Sequence, residues 1–433
     1  MKTKGATTKR QELEPLRALE EGLKKCVKCG SCRDGCPAFG AFGREPASAR
    51  GKLALARHLL EENIVLDDKS RMAMSKCLLC GNCVEKCPNG APIDEIIIAT
   101  REALANNLGP SAFHSTFGRI IKSRLLMSGG ARAVSFFESV IFKKIPATSG
   151  LRLRFPAPFI GNKRHIPSIA RKPFMARYPE VVSGQPGKPK ILFFTGCMIN
   201  FIYPQLAEAA LTLFQNLGCT VIIPKGQQCC GLPALSGGDM DTACWLAEKN
   251  LLEMERFEFD YAVNACASCG ATFHRFYSGL IAERMPELKE RLKNAAERML
   301  DVSRALRELG LDPAETATGN DVSVTYHDPC HLRNSGLSSA PRELLRLVPG
   351  VKLLEMDCPE SCCGLGGTFS VYHYGPSMDI NEVKTAAILN TGAQLVATGC
   401  PGCMTQLSDG LKHSGSSIRV AHTLELLAGK LIS

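Results

Sequence analysis

Two short runs decide the first part of the fold: Cys26-Val-Lys-Cys29-Gly-Ser-Cys32-Arg-Asp-Gly-Cys36-Pro37 and Cys77-Leu-Leu-Cys80-Gly-Asn-Cys83-Val-Glu-Lys-Cys87-Pro88. All four cysteines of the first run recur in the second at an offset of 51 residues. Two residues between thiolates let a short loop wrap three corners of a cubic cluster. The proline turns the chain away after the fourth cysteine, because it lacks an N–H and has a fixed φ. The runs therefore predict metal-bound thiolates rather than disulfides.

This spacing is the bacterial ferredoxin run, in which three close thiolates bind one cubane and the fourth binds the other. We expect two [4Fe–4S] clusters, each held by three cysteines of one run and the fourth of the other. The two predicted sets are Cys26, Cys29, Cys32 and Cys87, and Cys77, Cys80, Cys83 and Cys36. Zinc is the alternative, because paired Cys-x-x-Cys units also bind it. A zinc site needs only four thiolates, however, so eight in identical runs favour iron–sulfur.

Ten further cysteines form a second array that also occurs twice. Each copy has one cysteine, then Cys-Cys-Gly, then Cys-x-x-Cys; the first three positions recur at an offset of 133 and the last two at 134. The copies are Cys197, Cys229, Cys230, Cys266 and Cys269, and Cys330, Cys362, Cys363, Cys400 and Cys403. Five thiolates exceed the four of one cubane. We expect an additional iron–sulfur cluster of non-cubane type or one that leaves a cysteine for chemistry, with structural zinc as the alternative.

Hydrophobic patterning predicts a multi-domain chain, with helices in the first part and alternating strands and helices in the second. Helices are expected over 46–62 and 93–108, so that helices replace the usual small sheet of a ferredoxin. The predicted strands are 190–195, 220–223 and 261–263 in the first copy, and 323–326, 351–354 and 394–397 in the second. The predicted helices are 206–217 and 239–257, and 341–347 and 378–389. This order predicts α/β repeats with parallel sheets, whose cysteines meet at the carboxyl edge.

Four segments follow from these patterns: an α-helical ferredoxin domain over 15–109, a connector over 110–189, and two cysteine-rich domains over 190–310 and 321–430. The connector is rich in proline and holds fourteen Lys or Arg but only two acidic residues, Glu138 and Glu180. It is either a solvated linker or a docking surface for anionic lipid or an acidic partner subunit, with Lys143, Lys144, Arg152 and Arg154 as candidates. Nucleic acid is not expected, because stacking aromatics are not interleaved with the basic residues.

Other candidate residues surround the arrays. His327 and His331 flank Cys330 and could move protons or hydrogen-bond a cluster sulfide, although a structural role is favoured for them, as for His274 and His373. Cys219, Cys244 and Cys358 are expected to be packing residues. No apolar run of 18 or more residues occurs, and the first 22 residues lack the apolar core of a secretory signal. These features and the thiolates favour the cytoplasm, with peripheral attachment to the inner face of the membrane as a second expectation.

The repeated Cys-x31-Cys-Cys-Gly array with its Cys-x-x-Cys resembles the cysteine-rich CCG domain of heterodisulfide reductase subunits. Two ferredoxin runs followed by two such repeats resemble the iron–sulfur subunits of glycolate oxidase and D-lactate dehydrogenase. The lactate-utilisation and anaerobic glycerol-3-phosphate dehydrogenase iron–sulfur subunits are similar. The likeness covers about residues 15 to 430.

The resemblance implies an electron-transfer subunit of an oxidoreductase complex. It would take electrons from an FAD-binding 2-hydroxy-acid dehydrogenase acting on glycolate or D-lactate and pass them to a quinone, a cytochrome or another carrier. The chain has no Gly-x-Gly-x-x-Gly after a strand, so substrate oxidation is expected on the partner, and no catalytic residue is assigned. Because both repeats are complete, reduction of a disulfide at the CCG clusters is the main alternative. A zinc-holding assembly module is the third.

Overall fold

The computed structural model describes residues 13–123, 126–127, 129–130, 142–145, 148–153, 164–316 and 321–429. The chain forms two compact units. The first runs up to Arg119 and also takes in Gly231–Ala243 and Gly364–Ile380; the second holds the remainder. The chain thus passes from the second unit to the first directly after the second cysteine of each Cys-Cys-Gly.

The amino-terminal part of the first unit is built from helices. They are α1 (Glu14–Arg17), α2 (Glu20–Lys24), α3 (Pro37–Phe42), α4 (Ala49–Leu60), α5 (Asp68–Ser75), α6 (Asn82–Glu85), α7 (Ile93–Leu108) and α8 (Ala112–Lys122), with 3-10 turns at Ser31–Arg33 and Glu45–Ala47. Helix α4 begins later than predicted because the Ser48 side chain caps it, accepting from Gly51 N at 2.9 Å. Helix α7 matches its predicted bounds and forms the core, with Ile96–Ala99 fully buried.

Two sheets form the centre of the second unit. The first has the strands β3 (Val181–Val182), β4 (Lys190–Phe194), β5 (Thr220–Ile222), β6 (Tyr261–Asn264) and β7 (Met299–Asp301), in the order β3-β5-β4-β6-β7. The second has β8 (Val322–His327), β9 (Val351–Leu353), β10 (Leu395–Thr398) and β11 (Arg419–His422), in the order β11-β10-β8-β9. All described pairs in both sheets are parallel except β3 with β5. A two-stranded ribbon, β1 (Phe142–Ile145) with β2 (Thr148–Leu153), is separate and antiparallel.

Helices alternate with these strands. In chain order they are α9 (Gly196–Phe201), α10 (Pro204–Asn216), α11 (Leu232–Gly237), α12 (Met240–Met254), α13 (Ala267–Ala271), α14 (Ala282–Arg284), α15 (Lys289–Glu297), α16 (Val302–Glu308), α17 (Pro313–Thr316), α18 (Cys330–Arg333), α19 (Ser339–Leu347), α20 (Phe369–Tyr372), α21 (Tyr374–Asn390), α22 (Pro401–His413) and α23 (Thr423–Leu427). A π-helix, Thr272–Ile281, follows α13. The predicted fold class is confirmed: a helical ferredoxin region precedes two repeats with parallel sheets.

The strand sequences explain the parallel architecture. In β4 the four residues Ile191–Phe194 are all buried, as expected of a central strand covered on both faces. The corresponding β8 ends in four buried residues. The sequence did not reveal the outer strands β3, β7 and β11, which have only two to four residues. The predicted domain boundaries stay predictions.

Candidate metal centres

The first predicted set of cysteines surrounds a small cavity in the first unit. Cys26, Cys29, Cys32 and Cys87 all line it, together with Arg50. Lys28 and Gly30 have φ values of 60° and 92°, so the loop folds back twice between its cysteines. The Sγ of Cys87 also accepts from the backbone N–H of Ala91 at 3.4 Å. Four thiols at one cavity, with backbone donors close by, fit a [4Fe–4S] cubane.

The second set lines a second cavity of the same unit. Cys36, Cys77, Cys80 and Cys83 meet there beside Lys52. Leu79 and Gly81 repeat the positive φ values of the first loop, at 55° and 80°. The backbone N–H of Leu79 is 3.4 Å from the Sγ of Cys77. Each cavity thus combines three cysteines of one run with the fourth of the other.

Burial disfavours the thiolate form of two cysteines in the second set. Desolvation raises the pKa of the Cys83 thiol well above its usual range, and the neighbouring thiols Cys80 and Cys77 raise it further. Desolvation likewise raises the pKa of Cys36. Lys52 is almost fully buried, and its Nζ donates to the carbonyl oxygen of Ala47. Thiols in such a cavity become thiolates only if positive metal charge replaces their protons, so the donor chemistry fits a metal cluster.

The cysteines of the two repeats meet in the second unit. Cys197 Sγ lies 3.8 Å from Cys229 Sγ, and Cys363 Sγ lies 3.4 Å from Cys403 Sγ. The two Cys-x-x-Cys loops face each other, since Ala267 N donates to the Gly399 oxygen at 3.3 Å. Eight of the ten thiols are buried: Cys229, Cys230, Cys266, Cys269, Cys362, Cys363, Cys400 and Cys403. The sequence predicted one site per copy, whereas the structure places the two sites side by side.

Crowding shifts the pKa values of these thiols in opposite directions. Hydrogen bonds with Cys197 and Cys230, together with burial, raise the pKa of Cys229 well above its usual range. The pKa of Cys400 is held well below its usual range, because Cys266 and Cys403 donate to its sulfur. Cys229 therefore keeps its proton at neutral pH, and the buried thiols cannot all ionise without positive charge. This donor set fits metal, either iron in clusters or zinc.

Polar side chains that the sequence did not reveal hold the Cys-Cys-Gly loops. Asn250 Nδ2 donates to the Cys229 carbonyl at 3.0 Å, and Asn381 Nδ2 donates to the Cys363 carbonyl at 2.8 Å. Tyr277 Oη donates to the Cys230 carbonyl at 3.0 Å. These residues do not align at the repeat offset, so comparing the two copies gives no signal for them.

The two copies differ beside their cysteines. His327 is 1% exposed, and its ring nitrogens have no hydrogen-bond partner among the described residues. A ring nitrogen of His327 and the sulfurs of Cys363 and Cys403 lie within 4.8 Å of one another. The position 133 residues earlier in the first copy is Phe194. The structural role favoured for His327 stays a prediction, and two buried ring nitrogens without a described partner fit a group bound at this site.

The other candidate residues have diverse surroundings. His331 Nδ1 lies 3.2 Å from Ser268 Oγ, which is 3.7 Å from Cys400 Sγ, so His331 reaches the thiols through a hydroxyl. His373 contacts Ser75 in the first unit, at 2.8 Å. Burial lowers the pKa of His274. Cys219 is buried, Cys244 is partly buried and Cys358 is exposed, and none of them lines either ferredoxin cavity.

The predicted docking surface rests on side chains that lie outside the described residues: Lys143, Lys144, Arg152 and Arg154. Among the described helices, none combines the length and the apolar character needed to cross a bilayer.

Comparisons with known proteins agree with this architecture. The 4Fe-4S dicluster domain family matches residues 22–91, and the cysteine-rich domain family matches residues 191–274 and 324–408. The probable glycolate oxidase iron–sulfur subunit of Bacillus subtilis (strain 168) is 30% identical over 420 residues, 94% of each chain. Lactate utilization protein A of Halalkalibacterium halodurans is 31% identical over 239 residues, 55% of this chain and 96% of that protein. One subunit of the dihydromethanophenazine:CoB–CoM heterodisulfide reductase of Methanosarcina barkeri is 26% identical over 434 residues, 94% of each chain.

Proposed function

Since the chain belongs to the family of the glycolate oxidase iron–sulfur subunit, we propose that it is the electron-transfer subunit of a 2-hydroxy-acid oxidoreductase complex. A partner flavoprotein that binds FAD would oxidise glycolate or D-lactate, and this chain would carry the electrons onward. The observation that supports the proposal most directly is the pair of four-thiol cavities in the first unit. A [4Fe–4S] cluster accepts and donates one electron at a time, which suits the stepwise reoxidation of a two-electron flavin.

The proposed ligands are the two sets of cysteines that line these cavities. Cys26, Cys29, Cys32 and Cys87 would hold one cluster, and Cys36, Cys77, Cys80 and Cys83 the other. Backbone N–H groups aimed at cysteine sulfur, such as that of Leu79, stabilise the negative charge of the thiolates. Lys52 adds a buried positive charge beside Cys36 and Cys77. These residues would stabilise the reduced state of the cluster more than a neutral pocket would.

The cysteines of the second unit would hold further iron–sulfur clusters, with the ten repeat cysteines as ligands. Reduction of a disulfide at this site is the second candidate function. Two complete sets of thiols that meet in one buried site favour it. So does the similarity to a heterodisulfide reductase component along nearly the whole chain. In either function the chain would work in the cytoplasm, at the inner face of the membrane or in solution.

The test begins with the complex, purified anaerobically from its host with a tag on this chain. Glycolate or D-lactate is added, and the visible iron–sulfur absorption is followed. Bleaching by one of the acids, smaller in Cys80→Ser, which lacks one cluster, and kept in full in Cys244→Ser, is the expected result. Clusters that dithionite reduces and that neither acid reduces would refute the hydroxy-acid role. The dithionite-reduced protein, freed of excess dithionite, is then given a mixed disulfide. Reoxidation of the clusters together with release of two thiols would favour the second candidate.

A further inference from the structure

A cavity of about 280 Å³ lies in the first unit, beside the loop that carries Cys77. We call it the α5–α7 pocket, because Met72 and Met74 of α5 and Leu104 and Ala105 of α7 form its apolar wall. Its volume is near the lower limit of small-molecule sites, which span roughly 300–1,000 Å³. The pocket is distinct from both four-thiol cavities, since no cysteine lines it.

One side chain joins this pocket to the second ferredoxin loop. Arg101 lines the pocket, and its Nη2 donates to the carbonyl oxygens of Cys77 at 2.8 Å and Met74 at 2.7 Å. Its Nη1 donates to the Ser236 oxygen at 2.8 Å. A molecule in the pocket would therefore lie one hydrogen-bonded side chain away from a proposed cluster ligand. This is a short path for electrons.

The polar end of the pocket consists of three neutral groups. Ser111 Oγ lies 2.8 Å from His114 Nδ1 and 2.6 Å from Tyr372 Oη, and Tyr372 Oη lies 3.2 Å from His114 Nδ1. Burial lowers the pKa of His114 to about 4, so its ring is neutral at neutral pH. Hydroxyl groups beside a neutral imidazole suit a ligand carbonyl that accepts a hydrogen bond. None of these three groups offers a charge-assisted bond to a carboxylate. The two arginines that line the pocket already donate to backbone oxygens, Arg71 to Gly109 and Arg101 to Met74, Cys77 and Ser236.

The charges at the pocket are mainly positive. Arg71 and Arg101 line it, and the one acidic residue among its lining side chains is Asp68, whose carboxylate is 92% exposed. Positive charge beside a ligand favours the uptake of electrons by that ligand.

Exposed apolar side chains occur on the pocket wall and on segments next to it in sequence. Met72 is 55% exposed, and Val65 and Leu108, on the neighbouring segments, are 65% and 37% exposed. These two segments are joined by a hydrogen bond from Asn107 Nδ2 to the Leu66 oxygen at 3.3 Å. Exposed apolar side chains around a cavity are typical of a site whose ligand carries an apolar extension.

We propose that the α5–α7 pocket binds the ring of a quinone, which is the electron acceptor of the complex. This inference rests on the proposed function, which supplies the electrons. Oxidation of a 2-hydroxy acid to a 2-oxo acid releases two electrons and two protons. The quinone takes up two of each, and its two carbonyl groups become hydroxyl groups. Tyr372 is placed to donate a proton to a ring oxygen and to regain one from solvent through Ser111.

The concave shape favours a small molecule over a redox protein. A cytochrome would dock on an exposed surface, whereas this site is a concave pocket with three convergent polar groups.

The binding experiment uses menadione, a tail-less naphthoquinone, and the purified protein with its clusters, in a calorimeter under anaerobic conditions. Ala105→Phe fills the pocket and should weaken binding more than about tenfold. Tyr372→Phe keeps the volume, removes one hydroxyl and should weaken binding about fivefold. Tyr374→Phe makes the same change two residues away, outside the pocket lining, and should bind as the unaltered protein does. Equal affinity in all four proteins would overturn the proposal.

The second readout separates this proposal from the proposed function. The protein is reduced with dithionite, which bypasses any flavoprotein, and menadione is added while the visible absorption recovers. Recovery should slow in Ala105→Phe and Tyr372→Phe, whereas ferricyanide, a small outer-sphere oxidant, should reoxidise all variants at one rate. If the visible absorption of the variants recovers at the rate of the unaltered protein, the pocket is not the quinone site. This holds whether or not glycolate bleaches the clusters. If menadione works through the pocket and neither hydroxy acid bleaches the clusters, only the proposed function falls.

Discussion

Arg342 and Asp328 form a buried ion pair whose loss should destabilise the second repeat strongly. Nη1 and Nη2 of Arg342 donate to Oδ1 and Oδ2 of Asp328 at 2.8 and 2.9 Å. The side chains are 12% and 7% exposed, and Asp328 stands two residues before Cys330. Arg342→Met keeps the aliphatic stem and leaves the carboxylate buried without its guanidinium. Removing one member of such a pair costs about 3–5 kcal/mol.

Urea denaturation of the anaerobic protein measures this cost as a change in the free energy of unfolding. Arg307→Met is the matched control. It breaks a 2.6 Å ion pair with Glu343 whose side chains are 45% and 44% exposed, worth about 0–1 kcal/mol. Adding Asp328→Asn to Arg342→Met removes the stranded charge and should restore part of the lost stability. If Arg342→Met and Arg307→Met destabilise the protein equally, the burial argument is wrong.

Three further outcomes are expected. Cys80→Ser should lose the iron of one ferredoxin cluster, whereas Cys244→Ser should keep it. Iron analysis of the two purified variants measures this difference, and equal iron contents would remove Cys80 from the proposed ligands. His327→Phe, which copies the residue of the first repeat, should weaken metal binding at the second repeat by about 10–100-fold, measured as iron release to a chelator with His274→Phe as control. Burial raises the pKa of Glu425 to about 7, so the folded state keeps a proton that the unfolded chain loses near pH 4. The contribution of Glu425 to the free energy of unfolding should therefore fall by about 3 kcal/mol as the pH rises from about 4 to about 7. Glu425→Gln should remove this contribution, measured as the difference between the variant and the unaltered protein in urea titrations at several pH values.

The spacing of the cysteines in the sequence predicted how they are grouped at the two ferredoxin cavities. A loop of two residues between thiolates has few ways to fold, so the grouping of Cys87 with the first run and Cys36 with the second could be anticipated. The strands that lead to the repeat cysteines could also be predicted from the sequence, because buried parallel strands are continuous apolar runs such as Ile191–Phe194. These features depend on residues that are close in sequence.

Contacts between residues that are far apart in the chain could not be predicted from the sequence. The hydrogen bond from Ala267 to Gly399 joins the two repeats, yet neither residue type signals it. The α5–α7 pocket is lined by residues from four separate segments, including Ser236 and Tyr372 beyond each Cys-Cys-Gly. Arg101 looks like an ordinary helix residue until its guanidinium is found among three carbonyl oxygens. Periodicity reports which face of a helix is buried but not which segment covers it.

The two repeats keep the same cysteines and differ in the charge around them. In the second repeat, Lys384 is buried and donates to the Cys358 oxygen at 2.8 Å. Burial lowers its pKa to about 8, and the attraction of the Cys363 thiolate opposes this shift. The repeat offset changes from 133 to 134 between Cys363 and Cys400, so the first copy has Leu251 or Asn250, both uncharged, in place of Lys384. It has Phe194 in place of His327. Positive charge and N–H donors near thiolates raise the reduction potential of a bound cluster. A cluster bound by the second repeat should therefore have the higher reduction potential. It should receive electrons from a cluster bound by the first repeat.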